Sequence, residues 1–237
     1  MCGRFVVANV GAELVDALRV DLVGDDLPGP SYNVAPTARA AIVLDSAKTE
    51  PPTRRLEAAH WGLIPAWAKD PSIGARAFNA RAEEVEDKPM FRSALIKRRA
   101  VVPVSGYYEW KRADGAKIPH YIHPRDGAPM FLAGLYEWWK NPALPDDDPA
   151  RWLLSFTILT RDAIGRLGSI HDRMPLFLDA DFADAWLDPT VENVGDILDA
   201  AIDAAPEVAD TLDDYVVGSA VGNARNDSPD LIEPVGP

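Results

Sequence analysis

Residues 100–112 read AVVPVSGYYEWKR. β-Branched and aromatic residues dominate, and the pattern alternates as a half-buried strand does. A two-residue period puts Tyr107 and Glu109 on one face and Tyr108 and Trp110 on the other. The next stretch, DGAKIPHYIHPRDGAPMFLAGLYEWW at 114–139, reads as two more strands joined by a turn at 125–128. Further strands are legible at 39–45 (RAAIVLD), 54–65 (RRLEAAHWGLIP, running into a Pro-broken loop) and 152–160 (WLLSFTILT). Helical spacing is confined to 10–22, 90–98, 180–188 and 191–205, the last ending before Pro206. Residues 215–227 (YVVGSAVGNARND) are expected to end the ordered chain. Strands separated by irregular, Pro-rich joins predict an α+β fold: mixed, mostly antiparallel sheets with peripheral helices. No stretch suits a linker, so one domain over residues 1–237 is expected.

The composition is that of a globular protein, 47% hydrophobic and 26% charged. No apolar run approaches a membrane span, and no secretory leader pattern is legible, so a cytoplasmic protein is expected. One cysteine, Cys2, excludes an internal disulfide. Four histidines without metal-binding spacing argue against a metal site, and no cofactor motif is present. The net charge of −13 is unevenly spread: residues 1–125 carry +3 and residues 126–237 carry −16. Within 88–112 there are seven basic residues and a single acid, Glu109. A basic groove on an acidic protein is one reading of that run; a solvated face around Lys97, Arg98 and Arg99 is the other.

The sequence opens MCGRF. Methionine removal is favoured when the second residue is small, and it would leave Cys2 with a free α-amine beside its thiol. Such a 1,2-aminothiol condenses with an aldehyde: the amine forms a Schiff base and the thiol closes a thiazolidine. Alternatively, the thiol attacks an acyl carbon with the amine as base. A buried Cys2 packed as a small hydrophobe is the plain alternative, although termini are poor places for core residues. Glu109, among aromatics, is a candidate acid or base. His171, in SIHDRMP, is a second candidate; a histidine bonded to backbone is the alternative. His60, His120 and His123 read as structural. Asn79 and Arg81 share a face of an extended segment, where the amide can hold a hydroxyl or aldehyde and the guanidinium a phosphate. Trp61 and Trp67 flank a loop; Trp61 reads as core, whereas Trp67 suits stacking on an unpaired base.

These pieces occur in a fixed order: MCGRF, YNVAPT at 32–37, WGLIPAW at 61–67, FNARAE at 78–83, GYYEWK at 106–111, ILT at 158–160, IHDRMP at 170–175 and VGNARND at 221–227. In this set the chain resembles the SRAP (SOS response-associated peptidase) family over nearly its whole length. The resemblance implies a protein of the DNA damage response that binds single-stranded DNA at abasic sites. It would crosslink to them through Cys2 as a thiazolidine, with lyase-type chemistry. Asn79, Glu109 and His171 match the family's catalytic positions, and Arg81 matches a phosphate-binding arginine. Arg4, Asn33 and Thr160 match positions lining the site, while Pro36 and Trp67 resemble the parts that abut flanking bases. A monomer without cofactor or metal, acting in the cytoplasm and on the nucleoid, is expected. A cysteine-type peptidase using Cys2, including self-processing, and a non-catalytic single-stranded DNA binder are the competing readings.

Overall fold

The structure, a computed structural model, describes residues 2–8 and 11–236. Strand β1 (Phe5–Val7) is followed by helix α1 (Ala12–Ala17), β2 (Leu22–Val23), β3 (Ser31–Val34), β4 (Arg39–Ser46) and β5 (Thr53–Trp61). A short strand β6 (Asn79–Arg81) and helix α2 (Arg92–Lys97) lead into β7 (Arg99–Val104), β8 (Gly106–Ala113), β9 (Ala116–Pro124), β10 (Met130–Lys140) and β11 (Trp152–Asp162). Two short strands, β12 (Arg173–Pro175) and β13 (Phe177–Leu178), precede helices α3 (Ala180–Leu187) and α4 (Val194–Asp210) and strand β14 (Leu212–Val216).

Strands β10, β7, β4 and β5 pair antiparallel in that order next to β11, and β11 pairs parallel with β5 at Ser155↔His60 and Phe156↔Trp61. That last pairing closes five strands into a small barrel. Closure removes the exposed edges that an open sheet would present. A second, five-stranded sheet runs β14-β9-β8-β1-β3, all antiparallel. Both sheets contribute to one hydrophobic core: Phe5, Tyr107 and Ile122 from the second sheet pack with Trp61, Phe156 and Leu132 from the barrel. The α+β class and the antiparallel sheets are as expected.

Tyr107 and Ile122 belong to this shared core, whereas Tyr108 and Tyr121 join a separate cluster beneath residues 217–231. The period-two reading of GYYEWK therefore holds, and it sends Glu109 to the Tyr107 side. The turn into β8 demands glycine: a Cβ at Gly106 would sit 2.5 Å from the Tyr121 ring. Gly62 has φ +139° and packs against Gly74, where a Cβ would meet the Gly74 carbonyl at 2.4 Å. This contact ties the WGLIP loop to residues 71–76.

Three local expectations change. Helix α1 stops at Ala17 because Arg19 adopts φ 50°, with Val20 N–H bonded to Val15 O and Arg19 N–H to Asp16 O. This is a Schellman stop, and it frees Leu22–Val23 to pair with β5. Helix α4 continues through Pro206 rather than ending before it. Proline leaves the carbonyl four residues earlier without its helical donor; here that carbonyl, on Ile202, accepts from Arg161 Nη1. Order also extends past residue 227, through a 3-10 turn at Pro229–Ile232 to a bridge between Val217 and Pro234.

Candidate active site

Residues 2–4 are tied down although they precede the first strand. Tyr108 N–H donates to Arg4 O at 2.9 Å, so the segment continues along β8. Phe5 then packs on Trp61 with ring centroids 4.7 Å apart. Cys2 is thereby fully buried, contrary to the expectation that a terminus frays. Burial, and then the charge of Glu109, push its thiol well above the usual cysteine range. The thiol is therefore held protonated.

Asn79 begins β6, which lies parallel to β11 with Ile158↔Asn79 and Thr160↔Arg81 in register. Its Nδ2 donates to the Cys2 carbonyl at 2.7 Å. Its Oδ1 is buried with no hydrogen-bond partner among the described residues. A buried acceptor left unmet costs about 1–3 kcal/mol, which makes this oxygen an unusual feature of the site. Glu109, on β8, is 4% exposed. Burial above all, with Cys2 and Glu109 close enough to contribute, raises Tyr107 well above an ordinary phenol, which puts the three groups in one neighbourhood.

His171 follows a 3-10 turn at Leu167–Ser169. Its Nδ1 lies 3.0 Å from Arg173 N–H and 2.7 Å from Asp172 Oδ1. These contacts compete: Nδ1 accepts from the backbone only when it carries no proton, and it donates to Asp172 only when it does. His171 and Glu109 line one cleft of about 300 Å³, with Trp110, Arg112, Lys117 and Gly222. Arg112 and Lys117 give this cleft a cationic rim that the motif reading did not single out.

The remaining positions divide. Arg4 Nη1 bonds Asn33 Oδ1 at 2.8 Å and Val221 O at 2.7 Å, and Asn33 Nδ2 reaches the carbonyls of Asn223 and Asn226. Arg4 and Asn33 thus clamp the loop carrying Gly222 against the site. Thr160 is buried, with Oγ1 near Ala80 O and Arg173. Arg81 is exposed and pairs loosely with Glu84 at 3.3 Å. Pro36 is half-buried beside Thr37, which is held at φ 74° by a bond from its N–H to Trp61 O. A β-branched residue there is a strained outlier. Trp67 is 61% exposed, whereas Trp61 is buried with Nε1 bonded to Phe78 O. Pro36 and Trp67 stand on loops outside the lining of the cleft.

Two arginines belong to the framework. Arg173 bonds Glu83, Asp162 and Thr160 O, joining β11, β12 and the FNARAE segment. Its position in HDRMP, with Glu83 in FNARAE, was the available signal. Within the KRR run, Arg99 is 2% exposed and spends its donors on the carbonyls of Trp186, Leu95, Ile96 and Asp188. Arg98 pairs with Glu137 at 2.8 Å. Neither reading of the run as wholly external holds for Arg99. Among the described residues no group of three or more His, Cys, Asp and Glu could hold a metal ion, and no helix is long and apolar enough to cross a membrane.

A buried Cys2 whose carbonyl is held by Asn79 and whose thiol feels Glu109, on a closed barrel flanked by a second sheet, defines a class for which known counterparts exist. The chain belongs to the SOS response associated peptidase (SRAP) family, whose sequence profile matches residues 1–224. It is 36% identical over 235 residues to the abasic site processing protein YoqW of Bacillus subtilis, covering 98% of this chain and 99% of that one. It is 30% identical to the abasic site processing protein YedK of Escherichia coli, covering 99% and 100%. The abasic site processing protein HMCES of Xenopus tropicalis is 28% identical over 86% of this chain and 65% of its own. Among solved structures, a protein from Bacteroides thetaiotaomicron superposes with a TM-score of 0.76 at 22% identity, over 99% of this chain and all of that one, which shows the shared fold. A phage-related protein from Bordetella bronchiseptica gives 0.68 at 27% identity, over 91% and 94%.

Proposed function

We propose that this chain processes abasic sites: it binds single-stranded DNA and, once Met1 is removed, joins Cys2 to the ring-opened sugar as a thiazolidine. The observation that carries the reading is the convergence of Asn79 and Glu109 on a buried Cys2. The curated relatives named for abasic-site processing support it.

The chemistry balances with one water lost. Removal of Met1 converts the Cys2 amide nitrogen into an amine, which adds to the C1′ aldehyde. The carbinolamine expels its hydroxyl as water to give a Schiff base, and the thiol then adds across C=N, its proton passing to nitrogen. In this reading Glu109 delivers the proton to the departing hydroxyl. His171, across the cleft, assists sugar ring opening by proton exchange at its Nε2 when Nδ1 is held by Arg173 N–H. Asn79 fixes the Cys2 backbone, and its buried Oδ1 accepts from the substrate.

DNA would run past Arg112 and Lys117 with a phosphate on Arg81. Trp67 and Pro36 would take flanking bases, and Thr160, Arg4 and Asn33 would hold the walls. The protein would act as one domain and as a monomer. Incubation with abasic single-stranded DNA followed by a denaturing gel tests the reading: a retarded band is expected for the wild type and none for Cys2→Ala. Peptide turnover that depends on Cys2 without a DNA adduct would instead favour a peptidase.

A further inference from the structure

Glu109 has a row of polar side chains behind it. In the β8–β9 pairing Glu109 lies directly opposite His120. In such pairs the two side chains share a face with Cβ atoms about 4.5–5.5 Å apart. His120 Nδ1 lies 2.7 Å from Asp214 Oδ2 on β14, the strand on the other side of β9. Asp214 is opposite Ile122, two positions along, so it shares the face of His120. Both side chains are largely buried, at 12% and 13% exposure. Arg166 Nε in turn approaches Asp214 Oδ1 at 3.3 Å. Three adjacent strands thus present Glu109, His120 and Asp214 on one face, Asp214 diagonal to His120, with a cation at the outer end.

The chemistry of this row is directional. A carboxylate can only accept, so Asp214 fixes the Nδ1–H tautomer of His120 and the orientation of its ring. The Nε2 of the neutral ring is then an acceptor. Sequence reading treats His120 as a structural strand histidine, and the Asp214 bond alone would agree with that. Its opposition to Glu109 goes further.

We propose that His120, oriented by Asp214, is a positioning residue for Glu109: it holds the carboxyl group in place and takes up its proton at Nε2 between proton-transfer steps. The transfer balances as carboxylic acid plus neutral imidazole giving carboxylate plus imidazolium, with the Asp214 carboxylate as counter-charge. The proposal rests on the abasic-site reading. It assigns His120 and Asp214 neither substrate contact nor DNA contact.

The test is a double-mutant cycle on the Met1-processed full chain, reading single-turnover crosslinking to abasic single-stranded DNA alongside DNA affinity and thermal midpoint. His120→Gln is expected to slow crosslinking about tenfold, the scale of a lost supporting group, with affinity unchanged and the midpoint lowered by no more than the loss of one hydrogen bond. Asp214→Asn is expected to slow it less, and Asp214→Glu to restore it in part. In a Glu109→Gln background, adding His120→Gln is expected to leave the rate unaltered. A His120 effect undiminished in that background, or no effect in either, overturns the proposal. The ring-nitrogen NMR signals of His120 supply an arm independent of DNA: they are expected to move in Glu109→Gln, and unmoved signals also overturn it. A wild type that forms no crosslink while those signals do move contradicts the abasic-site reading and leaves the Glu109–His120 coupling standing.

Discussion

The side-chain amide of Asn79 donates to the carbonyl of Cys2 at 2.7 Å, from a strand held in register on the barrel. Cys2 is thus fixed by an element nearly eighty residues away, and one amide oxygen is left buried with no partner among the described residues. Asn79→Ala removes both. It is expected to slow crosslinking about tenfold or more while lowering stability by about 1 kcal/mol, the net worth of a single hydrogen bond. Single-turnover kinetics beside a urea melt check this; an unchanged rate removes Asn79 from the reacting assembly.

The Cys2 thiol is raised by burial and by Glu109. A group whose folded value is raised contributes stability that is fully present below its unfolded value, near 8.5 for a thiol, and is lost as pH rises beyond it. A chain that still carries Met1 is therefore expected to lose stability above about pH 8.5 relative to its Cys2→Ala variant, at up to about 1.4 kcal/mol per pH unit. Iodoacetamide labelling of the native protein near pH 7 is expected to be far slower than that of the unfolded chain. Rapid labelling at neutral pH would show the thiol to be open and ionised.

Arg173 serves the frame. Its guanidinium bonds Glu83, Asp162 and the Thr160 carbonyl, although both carboxylates keep substantial contact with solvent. Arg173→Ala is expected to cost about 1–3 kcal/mol, chiefly by leaving the buried Thr160 carbonyl without its donor. The melting midpoint reads this loss. A variant as stable as the wild type that has lost DNA binding would reassign Arg173 to the DNA surface.

Trp67 offers the opposite case. At 61% exposure it contributes little to the core. Trp67→Ala is expected to leave the melting midpoint unchanged and to weaken single-stranded DNA binding about tenfold, consistent with the loss of one stacked base. Fluorescence anisotropy measures it; unchanged affinity would place the DNA path elsewhere.

Strand identity was readable where packing is local. AVVPVSGYYEWKR alternates because each face meets a different core, and the same alternation assigns Glu109 to the side of Cys2. The barrel closure was not readable, because the β5–β11 pairing joins segments about a hundred residues apart and leaves no local pattern. Pro206 read as a helix end for a similar reason: its tolerance depends on Arg161, from another strand, reaching the Ile202 carbonyl. Arg99 sits in a basic run, yet it alternates into the core and is satisfied by carbonyls that only the folded chain assembles. The candidate residues Cys2, Asn79, Glu109 and His171 were legible because their types announce chemistry. Arg112 and Lys117 were visible as charges, but their place on the cleft rim depends on the β8–β9 hairpin.

The central claim is that Cys2 joins an abasic-site aldehyde through both amine and sulfur. Intact mass spectrometry of the purified protein, alone and after incubation with abasic single-stranded DNA, tests it most directly. The account predicts a chain lacking Met1 and an adduct equal to that chain plus the DNA less one water, stable without borohydride and absent in Cys2→Ala. An unshifted mass with intact abasic DNA, or the same adduct from Cys2→Ala, would contradict it.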